Sequence, residues 1–178
     1  MQSRPIATIG EDSTDINLNW LLDSDRHRPR DKSTAEAIDE LGVSMLRFPY
    51  GHLADNYLWD VAPFGGDLEP RVASMHESPG LLDDAPGRDW SWAVNSDGSF
   101  NNAMDFDEFA SLAAATGSTN LIVVNAAAHN YKNGPSYESL RETAVEWVRY
   151  AWEQGITVDY WQIGNEIDHP NDRPQTES

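Results

Sequence analysis

The chain reads as α/β with a parallel sheet, on three observations. A helix, a glycine and an apolar strand follow one another three times. The best-defined strand, Leu121-Ile122-Val123-Val124, is apolar without alternation, as strands buried on both faces of a parallel sheet are. The final strand ends in Gly164-Asn165-Glu166, which sets an amide beside a carboxylate at the rim where parallel sheets carry their ligand sites.

In chain order, the first 31 residues are polar around Ile16-Asn17-Leu18-Asn19-Trp20-Leu21-Leu22, where alternation from Ile16 to Trp20 predicts a first strand. Ser33-Thr34-Ala35-Glu36 is a capping box, and the helix it opens should turn Ala37, Ile38 and Leu41 inward and end at Gly42. Val43 to Phe48 is the second strand, closed by Pro49. Asp105-Phe106-Asp107-Glu108 caps a second helix with Phe106, Phe109, Ala110 and Ala113 on one face. It ends at Gly117, before the strand Asn120 to Asn125. Ser139-Leu140-Arg141-Glu142 caps a third helix with Leu140, Ala144, Trp147, Val148 and Ala151 inward, Gly155 ends it, and Val158 to Gly164 is the last strand.

Between the second strand and the second helix, residues 49–104 form a connection too long for a compact domain unless it is functional. It carries Tyr57, Trp59, Phe64, Trp90, Trp92 and Phe100 on the predicted site rim. Such rings either stack on sugar faces or form a satellite core beneath the loop. About four strands are present where a (β/α)8 barrel has about eight. The fold expected is therefore a partial (β/α)8 TIM barrel, about the first four β/α units. Residues 1–178 make up the N-terminal half of a catalytic barrel, and 168–178 begin the next loop.

Composition narrows the chemistry. The 178 residues contain no cysteine, which excludes disulfides, thiolate metal sites and cysteine nucleophiles. Thirty acidic against twelve basic residues give a formal charge of -18, a field that repels phosphate backbones and argues against a nucleic-acid partner. Only Lys32 and Lys132 are lysines, a surface suited to high salt as much as to an ordinary acidic protein. Mean hydropathy is -0.59. No apolar run approaches the roughly 20 residues that span a bilayer, and Met1-Gln2-Ser3-Arg4-Pro5 lacks the apolar core of a signal peptide. A soluble chain with no membrane partner is expected, its compartment open. The histidines His27, His52, His76, His129 and His169 are scattered and no calcium-loop spacing occurs, so neither metal nor cofactor is expected.

A carboxylate on a strand tip then reads best as a proton-transfer group. Burial among Trp161 and the loop aromatics would favour its protonated form, and the neighbouring amide could hold a substrate hydroxyl while the acid protonates a leaving oxygen. That is the acid half of a glycosidase pair.

Trp161-Gln162-Ile163-Gly164-Asn165-Glu166 resembles the Trp-Glu-Ile-Gly-Asn-Glu motif on the fourth strand of the retaining TIM-barrel glycoside hydrolases of clan A. Leu46-Arg47-Phe48-Pro49-Tyr50-Gly51-His52 and the later Trp59 are similar to the strand-two Arg-x-Pro-Gly-Gly segment of their α-L-arabinofuranosidase-like branch. Asn125 and Trp147-Val148-Arg149-Tyr150 match a strand-three asparagine and a third-helix phrase of that branch. The resemblance covers about residues 40 to 170. It implies that Glu166 is the general acid/base, that Asn165 holds the sugar 2-hydroxyl, and that Arg47 orients the nucleophile's carboxylate. Asn125, Trp59 and Trp161 would complete the substrate site.

Simpler uses stay open: Arg47 as a buried ion-pair partner, Asn125 as a strand-end cap, Trp161 as core. Tyr50 stands where the family has the first of two glycines, which makes the wall bulkier and puts an arabinofuranose substrate in question. The nucleophile falls outside the chain, Glu69, Glu77 and Asp55 being unconvincing substitutes. The expected function is retaining hydrolysis of O-glycosidic bonds in a plant or marine polysaccharide or oligosaccharide. The chain would be inactive alone and completed by a C-terminal half or an oligomeric partner. The alternative is a non-catalytic carbohydrate-binding α/β domain. A nucleotide-binding domain has no supporting Gly-rich loop.

Overall fold

A computed structural model describes residues 14–25, 30–59, 71–72, 102–130 and 135–167. Phe64, Trp90, Trp92, Phe100, Glu69, Glu77 and the tail 168–178 lie outside the described residues, so the readings made for them stand without structural comment.

Strand β1 (Asp15–Asn17) leads to helix α1 (Thr34–Leu41), β2 (Met45–Phe48), a 3-10 turn (His52–Asn56) and the short strands β3 (Tyr57–Leu58) and β4 (Arg71–Val72). Helix α2 (Phe106–Thr116), β5 (Thr119–Val124), a second 3-10 turn (Ala128–Asn130), α3 (Tyr137–Glu153) and β6 (Tyr160–Ile163) follow. The main sheet has order β1-β2-β5-β6 and every pairing in it is parallel. β3 and β4 form a separate antiparallel pair inside the long connection.

The local signals work as their chemistry dictates. The Ser33 hydroxyl accepts from Glu36 N (3.2 Å) while Glu36 Oε2 accepts from Ser33 N (2.8 Å), closing the capping box. Asp105 accepts from Glu108 N (2.8 Å). Glu108 does not reach back to the cap; it accepts from the Ser24 hydroxyl (2.8 Å) and ties α2 to the segment after β1. Gly42 and Gly117 stop their helices in the left-handed conformation.

Four local expectations are corrected. The third helix is capped by Ser136, whose hydroxyl accepts from Ser139 N (3.1 Å), one turn before the Ser139 expected. Leu41 is 67% exposed, because it closes a helix of eight residues whose inward face is carried by Thr34 and Ile38. Val148 is exposed as well. At 100° per residue it sits about 100° round from Trp147, which is the residue that enters the core. The first and last strands are shorter than predicted, Asp15–Asn17 and Tyr160–Ile163.

The core lies on one face of the sheet. Leu46, Phe48 and Ile122 point into a cluster with Trp20, Tyr57, Trp59, Phe106, Phe109 and Trp147. Phe48 stacks on Phe109 (4.7 Å between centroids) and meets Tyr57 edge-on (5.2 Å), offset and edge arrangements that ring quadrupoles favour. Period-two alternation puts the registered residues Asn17, Arg47, Leu121 and, from the next rung, Val123 and Gln162 on the opposite face. There Asn17 is exposed, Arg47, Leu121 and Gln162 are half-buried, and Val123 is buried. Parallel sheets ordinarily have both faces covered.

Among the described residues the β6 side is also open. Tyr150 reaches back from α3 to Asp107 on α2, its hydroxyl donating to both carboxylate oxygens (3.0 and 2.8 Å). Val148 and Trp152 lie about 160° and 200° further round the same helix. Trp152 is 79% exposed, and Ile163 on β6 is 65% exposed. No described helix is long and apolar enough to cross a membrane.

Candidate functional site

The C-terminal tips of β1, β2 and β6 bring together Asn17, Arg47, Gln162, Asn165 and Glu166. Arg47 starts on β2, and its guanidinium crosses over β5 to reach β6. Nη2 donates to Asn165 Oδ1 (2.9 Å), Nε and Nη2 both donate to Gln162 Oε1 (3.4 Å), and Nη1 donates to the Tyr50 carbonyl (3.1 Å). Gln162 turns its own amide back and donates to the Gly164 carbonyl (2.8 Å). Each of these acceptors is a neutral oxygen.

Burial lowers the Arg47 pKa from its ordinary value, while the charges of Asp15, Asp55 and Glu166 oppose that shift. The guanidinium remains a cation at any ordinary pH. Asn165 is buried and its oxygen fixed, whereas Glu166 beside it is exposed. The burial anticipated for the Glu166 carboxyl among aromatic rings is therefore corrected: solvent reaches the side chain.

The turn that presents the pair is tightly built. Gly164 has φ 70, and a Cβ there would stand 2.4 Å from Ile167 Cγ2 and 3.1 Å from Ala126 Cβ, so any side chain would strain the backbone and displace its neighbours. Glu166 itself has φ 46, in the left-handed region that a non-glycine residue seldom occupies. Gly51 completes the other wall. A Cβ on it would lie 3.5 Å from Asn165 Oδ1 and 3.8 Å from both Arg47 Nη1 and Asn17 Nδ2.

The remaining predicted site residues sit elsewhere. Asn125 is buried at the end of β5. Its Nδ2 donates to the carbonyls of Asp55 (2.9 Å) and Tyr57 (3.1 Å), and its Oδ1 accepts from Ala127 N (3.2 Å) and Ala128 N (3.0 Å). With both donors and the oxygen so occupied, it acts as the strand-end cap and holds two connections together.

Trp59 is corrected from sugar platform to core. It is buried, stacked on Trp147 at 5.6 Å, and its Nε1 donates to the Thr143 carbonyl (2.7 Å). Trp161 is half-buried and meets Trp147 edge-on at 5.7 Å, from the helix-facing side of the sheet. Asp55 is fully buried and presents no surface to a ligand.

Two tip residues were missed in the sequence. Asn17 was passed over because a strand of three residues gives little pattern, and Gln162 because its neighbour Trp161 carried the motif. Direct pairing with β2 sets Asn17 opposite Arg47, and the register across β5 brings Gln162 within its reach. Among the described residues no group of three or more His, Asp or Glu side chains converges as a metal site would. A hollow of about 650 Å3 lies between the ends of α2 and α3, lined in part by Gly117, Asn120, Gly155 and Asp159. It holds none of the predicted site residues.

An α/β chain with a parallel sheet and polar groups gathered at its strand tips is the class this geometry defines. The fold is similar to part of a solved structure described as the crystal structure of arabinofuranosidase. The TM-score is 0.53 at 19% sequence identity, and the match covers 94% of this chain and 35% of that one. The chain thus spans about a third of that protein's length. No protein-family model matches the sequence, and no curated protein does.

Proposed function

We propose that this chain is the acid/base portion of a clan A retaining glycoside hydrolase with a partial (β/α)8 barrel. The observation that carries the reading is the Arg47 clamp, in which a half-buried cation pins Asn165 beside an exposed glutamate at the C-terminal tips of a parallel sheet. Glu166 protonates the departing glycosidic oxygen and then takes a proton from the attacking water. Asn165, its oxygen held by Arg47, turns its NH2 group toward the sugar 2-hydroxyl. Arg47 adds positive charge where the nucleophile's carboxylate must sit.

Retention needs that second carboxylate about 5–5.5 Å from the first. A C-terminal half or an oligomeric partner would supply it and would cover the less buried face of the sheet and the β6 side. The 35% share of the arabinofuranosidase that this chain matches supports such a division. The substrate is a glycoside of a plant or marine polysaccharide or oligosaccharide.

The test is binding without turnover. Saturation-transfer NMR with a panel of methyl glycosides should detect a sugar at millimolar concentration, Asn165→Ala should abolish the signal, and aryl glycosides should not be cleaved. Absence of binding across the panel would refute the reading. Binding that survives Asn165→Ala would relocate the site.

A further inference from the structure

We propose that Tyr50 is the sugar-stacking platform of this site and that it selects pyranosides over furanosides; the proposal rests on the glycosidase reading above. Trp59 and Trp161, the rings first expected to serve, are taken up by the core cluster. Tyr50 is exposed at 37%. It sits directly after the β2 tip, and no ring contact or phenol hydrogen bond holds it among the described residues.

Its backbone is the second observation. Tyr50 has φ 104, a conformation glycine adopts freely and a bulky side chain does not. Residues held in such regions persist where the surroundings impose the geometry, and they cluster at ligand sites. Here the surroundings are visible. The Tyr50 carbonyl accepts from Arg47 Nη1 (3.1 Å), and a Cβ on the next residue, Gly51, would lie 3.5 Å from Asn165 Oδ1. The corner at 50–51 is therefore built into the Arg47 and Asn165 cluster. Glycine at position 50 would satisfy the same backbone without strain, so the packing of the corner does not account for a tyrosine there.

A flat ring with a polar edge, exposed on the residue next to a corner that touches a fixed amide, suits a ligand with one apolar face and a hydroxylated rim. A pyranose presents that face through its axial C–H groups. The puckered five-membered ring of a furanose presents a smaller one.

The experiment compares Tyr50→Gly, Tyr50→Phe and Asn165→Ala with the unaltered chain. It measures affinity for methyl β-D-xylopyranoside and methyl α-L-arabinofuranoside by NMR titration, and Tm by thermal unfolding. Tyr50→Gly should weaken the pyranoside about tenfold, a change equivalent to about 1.4 kcal/mol, while its Tm stays level or rises as the strain is released. Tyr50→Phe should keep affinity within about twofold, since the ring remains. The furanoside should bind weakly to all three tyrosine-position forms. If Tyr50→Gly binds the pyranoside as tightly as the unaltered chain while Asn165→Ala does not, the platform is refuted and the glycosidase reading stands. A lower Tm for Tyr50→Gly would show that the ring packs structurally and would also refute it. If the unaltered chain binds neither sugar, both readings fall.

Discussion

Replacing Asn125 by alanine should be among the most damaging single changes in this protein. The side chain makes four hydrogen bonds, two given to the carbonyls of Asp55 and Tyr57 and two received from the amides of Ala127 and Ala128. All lie in buried surroundings. A typical hydrogen bond contributes about 0.5–1.5 kcal/mol net, and a buried group left without a partner costs about 1–3. Some of the four orphaned groups would recover a water through the space left by the amide, so a loss of about 3–5 kcal/mol is expected. That is a large part of the roughly 5–15 kcal/mol holding a domain of this size.

The assay is urea unfolding followed by tryptophan fluorescence, with amide hydrogen exchange at Ala127 and Ala128 as a local readout. The midpoint should fall with little change in slope, and both amides should lose protection. Asn125→Asp should be at least as harmful, because it keeps the acceptor but sets a carboxylate oxygen against two carbonyls. A loss below about 1 kcal/mol, with exchange unchanged, would show that the 3-10 turns are held by something else and would refute the cap.

Three further outcomes follow. Gly164→Ala should destabilise more than Gly42→Ala, since both have left-handed φ but only the first meets an atom at 2.4 Å; paired thermal melts decide it. Ser33→Ala should cost about 1 kcal/mol through loss of the cap, seen as a lower urea midpoint. The Tyr150 hydroxyl has its pKa pushed up to about 12 by burial and by its bond to Asp107. A folded-state pKa above the unfolded value of about 10 means that its contribution is complete below pH 10 and is lost as pH rises through 12. Stability should therefore drop over that window, and Tyr150→Phe should flatten the drop.

Where the physics is local, the sequence was legible. The Ser33–Glu36 box and the glycines after α1 and α2 act within one turn of chain, and they are placed as read. The error at Ser139 has the same local origin. Ser136 and Ser139 are one turn apart, and the true cap is the one whose hydroxyl receives the other's amide. What was not legible depends on partners far away in sequence. An indole stacks as well on Trp147 as on a sugar, so Trp59 could be assigned only once α3 was in place. The reach of Arg47 to Gln162 depends on both strands pairing with β5 in one register, and the exposure of Glu166 depends on how the turn after β6 leaves the sheet.

The neutral partners of Arg47 set how the site responds to acid. A carboxylate clamp on an arginine weakens as its acid becomes protonated, and a catalytic amide held that way would drift as the solution acidified. Here the guanidinium grips two amide oxygens and a carbonyl, none of which takes up a proton at any pH the fold survives. Asn165 should therefore keep one orientation at every pH the fold survives, whatever the charge of the groups around it.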